Sequence, residues 1–442
     1  MITQAYYYSK IQSMGLIKSK IFPNIPNCRI YLLIFSFISM FLVLWANLHR
    51  INNITNFNSH TNNNYEPLIP LRRTLSKGPN GPAVLAYWIL GSKGQSQMML
   101  RLAKAIYHPR NQYLLQLDSS SSEHERVELA ILVQSERVFS EFGNVDVVGK
   151  SYGVNQVGPS GLGAMLHAAA VLLRLSADWD WFIPLSASDY PLFTQDDIIY
   201  AFTTLPKDVN FIGYTNDTAR EKRQNVSQIV IDPSLYLKET KPVFYAAETR
   251  ENPNAFRIFG GSPWMILTRS FLEHCVKGWD NFPRKLLMYF SNVAFPLESY
   301  FQTIICNTPE FQNMAVVNDD LRYNIIQNQT IKEAINMSHS DAIMSRQAIF
   351  ARPFNENDHE LQDIDEKLLN RDRDRVVPGK WCEKTGLVNE TVRSSNATRD
   401  DFCSFLGYID DVKPGVGGIK MQSFLSRVVK ENKLASNFCQ GH

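Results

Sequence analysis

Short apolar runs alternate with longer stretches of mixed polarity between residues 83 and 186, which indicates strands separated by helices. The predicted strands are Ala83–Leu90, Gln112–Leu117, 145–148 and Trp181–Leu185. The predicted helices are Gln95–Tyr107, 123–140 and Leu162–Leu175. Because strands that alternate with helices favour a parallel sheet, we predict an α/β fold with a mostly parallel central sheet.

The N-terminal segment carries a different pattern, an apolar run from Ile30 to Leu48 without a charged side chain. This run is about long enough to cross the hydrocarbon core of a bilayer. Basic residues precede it, and the first acidic residue of the chain is Glu66. By the positive-inside rule we predict a cytosolic tail (1–29) and a transmembrane signal-anchor (30–48), with the rest of the chain translocated. A cleaved signal peptide is the alternative, although the run is long for one and no small-residue cleavage pattern follows.

Sequence features after this run fit a translocated chain. Asn-x-Ser/Thr sequences predict glycosylation at Asn53, Asn216, Asn225, Asn328, Asn336, Asn389 and Asn396. Five of the 6 cysteines follow the run, and an odd number leaves at least one free or paired between chains. We predict that Cys382 pairs with Cys403. The lack of Cys-x-x-Cys spacing argues against a zinc site, and a net charge of +2 argues against a nucleic-acid partner.

Carboxylates follow two of the predicted strands. Asp118 ends the second strand and Asp189 follows the fourth. The carboxyl ends of parallel strands meet at one edge of a sheet, where ligands collect. Strand-end aspartates also cap the helices that follow them. Asp118 and Asp189 could therefore either share a ligand cleft or each cap a local helix. Asp178-x-Asp180 has the form of a metal-binding pair, but its position before the strand argues against that role.

Two glycine-containing segments are further candidates. The turn Gly91-Ser92-Lys93-Gly94 lies between a strand and a helix, where backbone N–H groups can bind phosphate, although an ordinary turn is the alternative. Gly261-Ser262-Pro263-Trp264 combines close backbone approach with an indole face suited to a sugar ring. Trp264 could equally belong to the core.

Glu298 and Arg352 complete the candidates. Glu298 lies at the edge of an apolar run. Partial desolvation there would raise its pKa and make it a better base. The alternative is an ordinary glutamate at the start of a helix. Arg352 could neutralise a diphosphate without a metal, and a surface arginine is the alternative. Together the candidates fit a nucleotide–sugar site with one catalytic carboxylate and cationic rather than metal compensation.

The order of these motifs resembles the plant branch of the core-2/I-branching glycosyltransferase family. The resemblance covers roughly residues 83–440 and is carried by Tyr107-His108-Pro109-Arg110, Leu166-His167-Ala168, Asp178–Pro191, Glu298-x-Tyr300-Phe301, Phe350-Ala351-Arg352 and Trp381-Cys382. It implies a GT-A-type fold in a type II Golgi membrane protein with a lumenal catalytic domain. The expected domains are 1–29 (tail), 30–48 (anchor), 49–80 (flexible stem), 81–355 (catalytic) and 356–442 (C-terminal extension packed on the catalytic domain).

The resemblance also implies the reaction. An inverting enzyme would move a sugar, glucuronic acid first of all, from a UDP-sugar to a galactan-type acceptor of arabinogalactan proteins, forming a β-linkage without a metal. More distant relatives imply N-acetylglucosamine or xylose as alternatives. Glu298 would be the base, and the donor side would comprise Asp118, Asp189, Arg352, Gly91 and Lys93. Gly261, Ser262 and Trp264 would form the acceptor side.

Two departures from the family pattern keep a second hypothesis open. Pro353 stands where relatives usually carry Lys, and the stretch 324–340 lacks the expected Trp-Asp-x-Pro-Pro pattern. A Golgi glycoprotein that keeps the fold but has lost catalysis is therefore the alternative to an active transferase.

Overall fold

The structure, a computed structural model, describes residues 81–176, 178–214, 226–251, 253–278, 282–312, 314–324, 348–383, 405–406, 408–434 and 439. They belong to one compact unit, Pro70–His442. The predicted tail, anchor and stem lie outside the described residues, as do all the predicted glycosylation sites, Cys403 and most of 324–340. No helix in the described ranges is long and apolar enough to span a membrane.

Fourteen strands and eleven α-helices are described over these ranges. The strands are β1 (Leu85–Gly91), β2 (Gln112–Leu117), β3 (Val145–Val147), β4 (Trp181–Ser186), β5 (Tyr190–Pro191), β6 (Asn210–Tyr214), β7 (Gln228–Ile231), β8 (Phe244–Thr249), β9 (Gly261–Thr268), β10 (Val316–Val317), β11 (Arg322–Asn324), β12 (Phe350–Arg352), β13 (Cys382–Glu383) and β14 (Phe405–Leu406). The helices are α1 (Ser96–Ala105), α2 (Glu123–Ser135), α3 (Arg137–Phe142), α4 (Pro159–Leu175), α5 (Gln195–Thr203), α6 (Arg269–Lys277), α7 (Phe282–Phe290), α8 (Tyr300–Asn307), α9 (Pro309–Gln312), α10 (His359–Asp363) and α11 (Val416–Leu434). A π-helical turn, Ile364–Leu368, follows α10.

A mixed seven-stranded sheet with the order β10-β6-β9-β4-β1-β2-β3 forms the centre. β1 to β4 are parallel, whereas β9 runs antiparallel to both β4 and β6. The α/β prediction is therefore confirmed, with a mixed sheet. A second sheet has the order β11-β12-β5, and β7 pairs with β8 in a separate two-stranded ribbon.

The central strands are buried on both faces, as their continuous apolar sequences require. Side chains of α1, α2, α3, α5 and α11 pack in the core on one face, and those of α4, α6, α7 and α8 pack in the core on the other. The strand order reverses between β1 and β4. In open α/β sheets, ligands bind at the carboxyl ends of the strands at such a reversal point. The loop after β4 is tied to β1 there, since the Ala187 amide donates to the Leu90 carbonyl at 2.8 Å.

The C-terminal segment packs on the N-terminus of α5. Asp196 Oδ2 accepts hydrogen bonds from the Lys380 and Lys413 amides at 3.1 and 3.2 Å. A disulfide between Cys306 and Cys439 joins α8 to the end of the chain. Cys275 is free and buried, which is one of the two outcomes that the odd number of cysteines allowed.

Candidate functional site

A cavity of about 240 Å³ opens at the carboxyl ends of β1 and β4. It is lined by Trp88, Leu90, Val154, Gln156, Val157, Gly161, Met165, Leu185, Ser186, Pro263, Trp264, Phe295, Leu297 and Glu298. The predicted base, Glu298, and the predicted sugar platform, Trp264, therefore face the same space. Their positions differ by 34 in the sequence, so only the fold brings them together.

Glu298 is half-buried at the end of a 3₁₀ turn, Pro296–Glu298. The preceding residue, Phe295, has a left-handed backbone conformation with φ of 49°. A bulky residue in this region costs on the order of 1–3 kcal/mol, so the surroundings must hold it. The Phe295 amide donates to the Val157 carbonyl at 2.8 Å and the Glu298 amide donates to the Phe295 carbonyl at 3.0 Å. These bonds fix the turn against the segment before α4.

Asp189 is linked to the cavity wall through Arg352. Its fully buried carboxylate accepts hydrogen bonds from the Ser186 amide and hydroxyl at 2.5 and 2.6 Å through Oδ2. Its other oxygen, Oδ1, lies 3.3 Å from Arg352 Nε. The Arg352 guanidinium in turn stacks 4.2 Å from the centre of the Trp264 ring. Three predicted site residues therefore form one connected array.

Arg322, which the sequence analysis did not identify, belongs to the same array. Its guanidinium lies 5.1 Å from the Trp264 ring centre, and its Nη2 donates to the Pro184 carbonyl at 2.6 Å. Burial lowers the pKa of Arg322, whereas the nearby carboxylates of Asp189 and Asp320 oppose this change. Arg322 reaches this position through the pairing of β11 with β12. No sequence motif marks such a long-range pairing, so the sequence did not predict its role.

The predicted acceptor residues before Trp264 support the array. The Ser262 hydroxyl donates to Asp320 Oδ2 at 2.6 Å and accepts from the Trp264 amide at 3.1 Å. The Ser262 carbonyl accepts from Gln302 Nε2 at 3.0 Å. Gly261 is buried at the start of β9. Neither Gly261 nor Ser262 lines the cavity, so these contacts orient the tryptophan.

Asp118, Gly91 and Lys93 meet at the neighbouring strand ends. Asp118 accepts from the Ser120 amide at 2.9 Å, from the Ser120 hydroxyl, and from the Ser92 hydroxyl at 3.3 Å. A Cβ on Gly91 would lie 2.2 Å from Met99 Sδ, so the small residue lets α1 pack on β1. The three residues are not part of the cavity lining, and their role at the donor stays a prediction.

Asp180 makes structural hydrogen bonds at the opposite edge of the sheet. Its Oδ2 accepts from the Val84 amide at 2.9 Å and from Lys207 Nζ at 3.1 Å, close to the amino end of β1. Across the described residues, no group of three or more His, Cys, Asp and Glu side chains is arranged to hold a metal ion. The expectation that the reaction is metal-independent stays a prediction.

Comparison with known proteins places this chain in a family. The sequence profile described as "Core-2/I-Branching enzyme" matches residues 85–330. Beta-glucuronosyltransferase GlcAT14A of Arabidopsis thaliana is 38% identical over 361 residues, which cover 81% of this chain and 78% of that protein. Beta-glucuronosyltransferase GlcAT14C of the same plant is 45% identical over 289 residues, which cover 65% of this chain and 74% of that protein.

Among solved structures, mouse xyloside xylosyltransferase 1 aligns with 62% of this chain and 99% of its own at 12% identity. Its TM-score of 0.32 is too low to add to the description of the fold. The sequence matches decide the assignment, because the profile spans more than half of the chain and the plant relatives align over most of their length. The chain therefore belongs to the Core-2/I-Branching enzyme family of glycosyltransferases, as its motifs predict.

Proposed function

We propose that this protein transfers glucuronic acid from UDP-glucuronate to a galactan-type acceptor of arabinogalactan proteins, with inversion to a β-linkage. The observation that carries the proposal is the placement of Glu298 and Trp264 in one cavity at the reversal point of the sheet. The similarity to plant β-glucuronosyltransferases supports glucuronic acid as the sugar.

Glu298 acts as the general base. Its carboxylate takes the proton of the acceptor hydroxyl while that oxygen attacks the anomeric carbon of the donor. The bond between the anomeric carbon and the diphosphate oxygen breaks, and UDP leaves with the electron pair. A single displacement inverts the configuration, which yields the β-linked product from an α-linked donor.

The arginine pair beside Trp264 stabilises the leaving group. Arg352 and Arg322 lie 4.2 and 5.1 Å from the same ring, so two guanidinium groups approach one wall of the cavity. Asp189 holds Arg352 from behind, through the 3.3 Å contact with its Nε. Preorganised cations of this kind stabilise negative charge that develops on a diphosphate, without a metal ion.

We also propose a Golgi membrane location, single-pass type II, with the catalytic domain in the lumen. The apolar run 30–48 and its basic flank support an anchor in this orientation. The Cys306–Cys439 disulfide supports an oxidising compartment for the folded domain.

A donor comparison tests the reaction. The full-length, detergent-solubilised protein is incubated with a galactan oligosaccharide and either UDP-glucuronate, UDP-N-acetylglucosamine or UDP-xylose, with and without EDTA. We expect transfer from UDP-glucuronate alone, a β-linkage by NMR, and the same rate in EDTA. Preference for another donor contradicts the sugar assignment, and loss of transfer in EDTA contradicts the metal-free mechanism. No transfer from any donor supports the alternative of a non-catalytic glycoprotein.

A further inference from the structure

The ribbon formed by β7, β8 and the segment between them, residues 228–249, exposes aromatic side chains and is hydrogen-bonded to segments that lead into the cavity. We propose that this aromatic ribbon binds the galactan chain of the acceptor as it leaves the cavity. The proposal rests on the proposed function for the identity of the acceptor. It adds an extended binding surface that recognises polymer length.

The aromatic ribbon exposes an unusual amount of apolar surface. Tyr236, Phe244 and Tyr245 are 82%, 61% and 50% exposed, and the aliphatic side chains of Ile231 and Leu237 accompany them. None of the residues of β8 is buried. A two-stranded ribbon has little core of its own, and clustered exposed apolar side chains mark interaction surfaces. The surface is therefore suited to a ligand that covers it.

One side of the aromatic ribbon is tied to the segment before α4, which forms a wall of the cavity. Asp232 Oδ2 accepts from the Ser160 amide at 2.9 Å. Thr240 Oγ1 accepts from the amide of Val154, a cavity residue, at 3.2 Å. The Lys241 carbonyl accepts from Asn155 Nδ2 at 2.9 Å. These bonds place the loop of the ribbon beside the cavity rather than on a remote face.

The other side of the aromatic ribbon is tied to the segment that leads to Glu298. The Val230 amide donates to the Asn292 carbonyl at 2.9 Å. Arg250 Nη1 donates to Asn292 Oδ1 at 2.7 Å, and its guanidinium stacks 3.9 Å from the Tyr289 ring. The ribbon is thus anchored to two segments that each contribute residues to the cavity lining.

The chemistry of the surface fits a sugar chain. A sugar ring presents a C–H face, which packs on an aromatic ring, and a rim of hydroxyl groups. The aromatic ribbon interleaves Tyr236 and Phe244 with the charged residues Lys238, Glu239 and Lys241, which can meet those hydroxyls. The core of a protein interface is instead depleted of charged residues, which disfavours a second copy of the chain as the occupant. A polymeric acceptor must also extend beyond a cavity of about 240 Å³.

Galactan binding tests the proposal without requiring turnover. The full-length protein and its Tyr236→Ala/Phe244→Ala variant are titrated with galactobiose and with a long galactan oligosaccharide by calorimetry. Two lost ring contacts should raise the Kd for the long chain about fivefold more than that for galactobiose. Tyr408→Ala is the matched control, because Tyr408 is 85% exposed. It neighbours Asp410, which pairs with Arg110 at the amino edge of the sheet.

Each outcome decides the proposal. A selective loss of long-chain affinity in the double variant, with wild-type affinity in Tyr408→Ala, supports it. Equal losses for both ligands, no loss, or no galactan binding by the wild type would overturn it. A dimer of the wild type that the double variant abolishes in sedimentation velocity would overturn it too, in favour of a self-association surface. Length-dependent binding without glucuronic acid transfer would leave this inference standing and refute the proposed function.

Discussion

Replacing Asp365 with Asn should destabilise the protein strongly, because this carboxylate neutralises two buried arginines. Arg101 Nη2 and Nε lie 2.8 and 3.1 Å from its Oδ2, and Arg371 Nε lies 3.5 Å from its Oδ1. The Tyr190 hydroxyl donates to the same Oδ1 at 2.6 Å, and burial raises the pKa of Tyr190, which keeps the proton on its oxygen. Asparagine would leave two guanidinium groups in one buried site without an opposing charge.

Breaking a buried ion pair in this way costs about 3–5 kcal/mol, a large share of a total stability of roughly 5–15 kcal/mol. Urea unfolding of the full-length protein, followed by tryptophan fluorescence, measures the loss. The matched control is Asp363→Asn, which removes an exposed pair with Lys367 on the same segment and should cost less than about 1 kcal/mol. A loss below 1 kcal/mol for Asp365→Asn would refute the reasoning. Because Tyr190 follows Asp189, the variant should also weaken donor binding.

Three further predictions concern pH dependence, the disulfide and strand packing. His108 Nε2 lies 3.6 Å from Asp196 Oδ1. Burial raises the pKa of Asp196 to about 6 and lowers the pKa of His108 to about 3. Between about pH 4 and pH 6 the folded state holds one proton on Asp196 and the unfolded state holds one on His108, so the pair adds no pH dependence there. In the Asp196→Asn variant the folded state loses its proton at this site, whereas His108 still binds one in the unfolded state. The free energy of unfolding should therefore fall by about 1.4 kcal/mol per pH unit below about pH 6.5. Denaturant unfolding at several pH values measures this fall. Cys306→Ser removes a disulfide between positions 133 apart in the sequence and should lower the free energy of unfolding by about 2–5 kcal/mol, measured by thermal unfolding. Cys275→Ala is the control, because Cys275 is free and its replacement leaves the disulfide intact. Gly91→Ala should lower the free energy of unfolding by about 1–3 kcal/mol, because the added methyl group crowds Met99. A rise in the donor KM that exceeds this loss when expressed as a free energy would instead favour a direct contact between Gly91 and the donor.

The elements of the parallel half were predictable because each strand is a short apolar run bounded by turn residues. The boundaries shifted where local chemistry decides them. The predicted helix 123–140 is two helices that meet at Glu136, whose backbone is extended. The helix predicted to begin at Leu162 begins at Pro159, because proline fits the first turn of a helix.

The long-range partners were not predictable. The segment Gly261–Thr268 was identified only for Gly261, Ser262 and Trp264, yet it forms the antiparallel strand that makes the sheet mixed. Arg322 and the Cys306–Cys439 disulfide depend on contacts between distant segments, which periodicity does not encode. Cys382 is disulfide-bonded, and its predicted partner Cys403 lies outside the described residues, so that pairing stays a prediction.

The measurement that tests the account most directly is turnover by Glu298→Gln. Glutamine keeps the shape of the side chain but cannot accept the proton, so kcat for glucuronic acid transfer should fall by about 10²–10⁴. The Kd for UDP, measured by calorimetry, should stay within about twofold of the wild type, since the proposed diphosphate contacts are those of Arg352 and Arg322. Glu310→Gln, an exposed glutamate on α9, is the matched control and should turn over normally. Near-normal kcat in Glu298→Gln would contradict the assignment of the base.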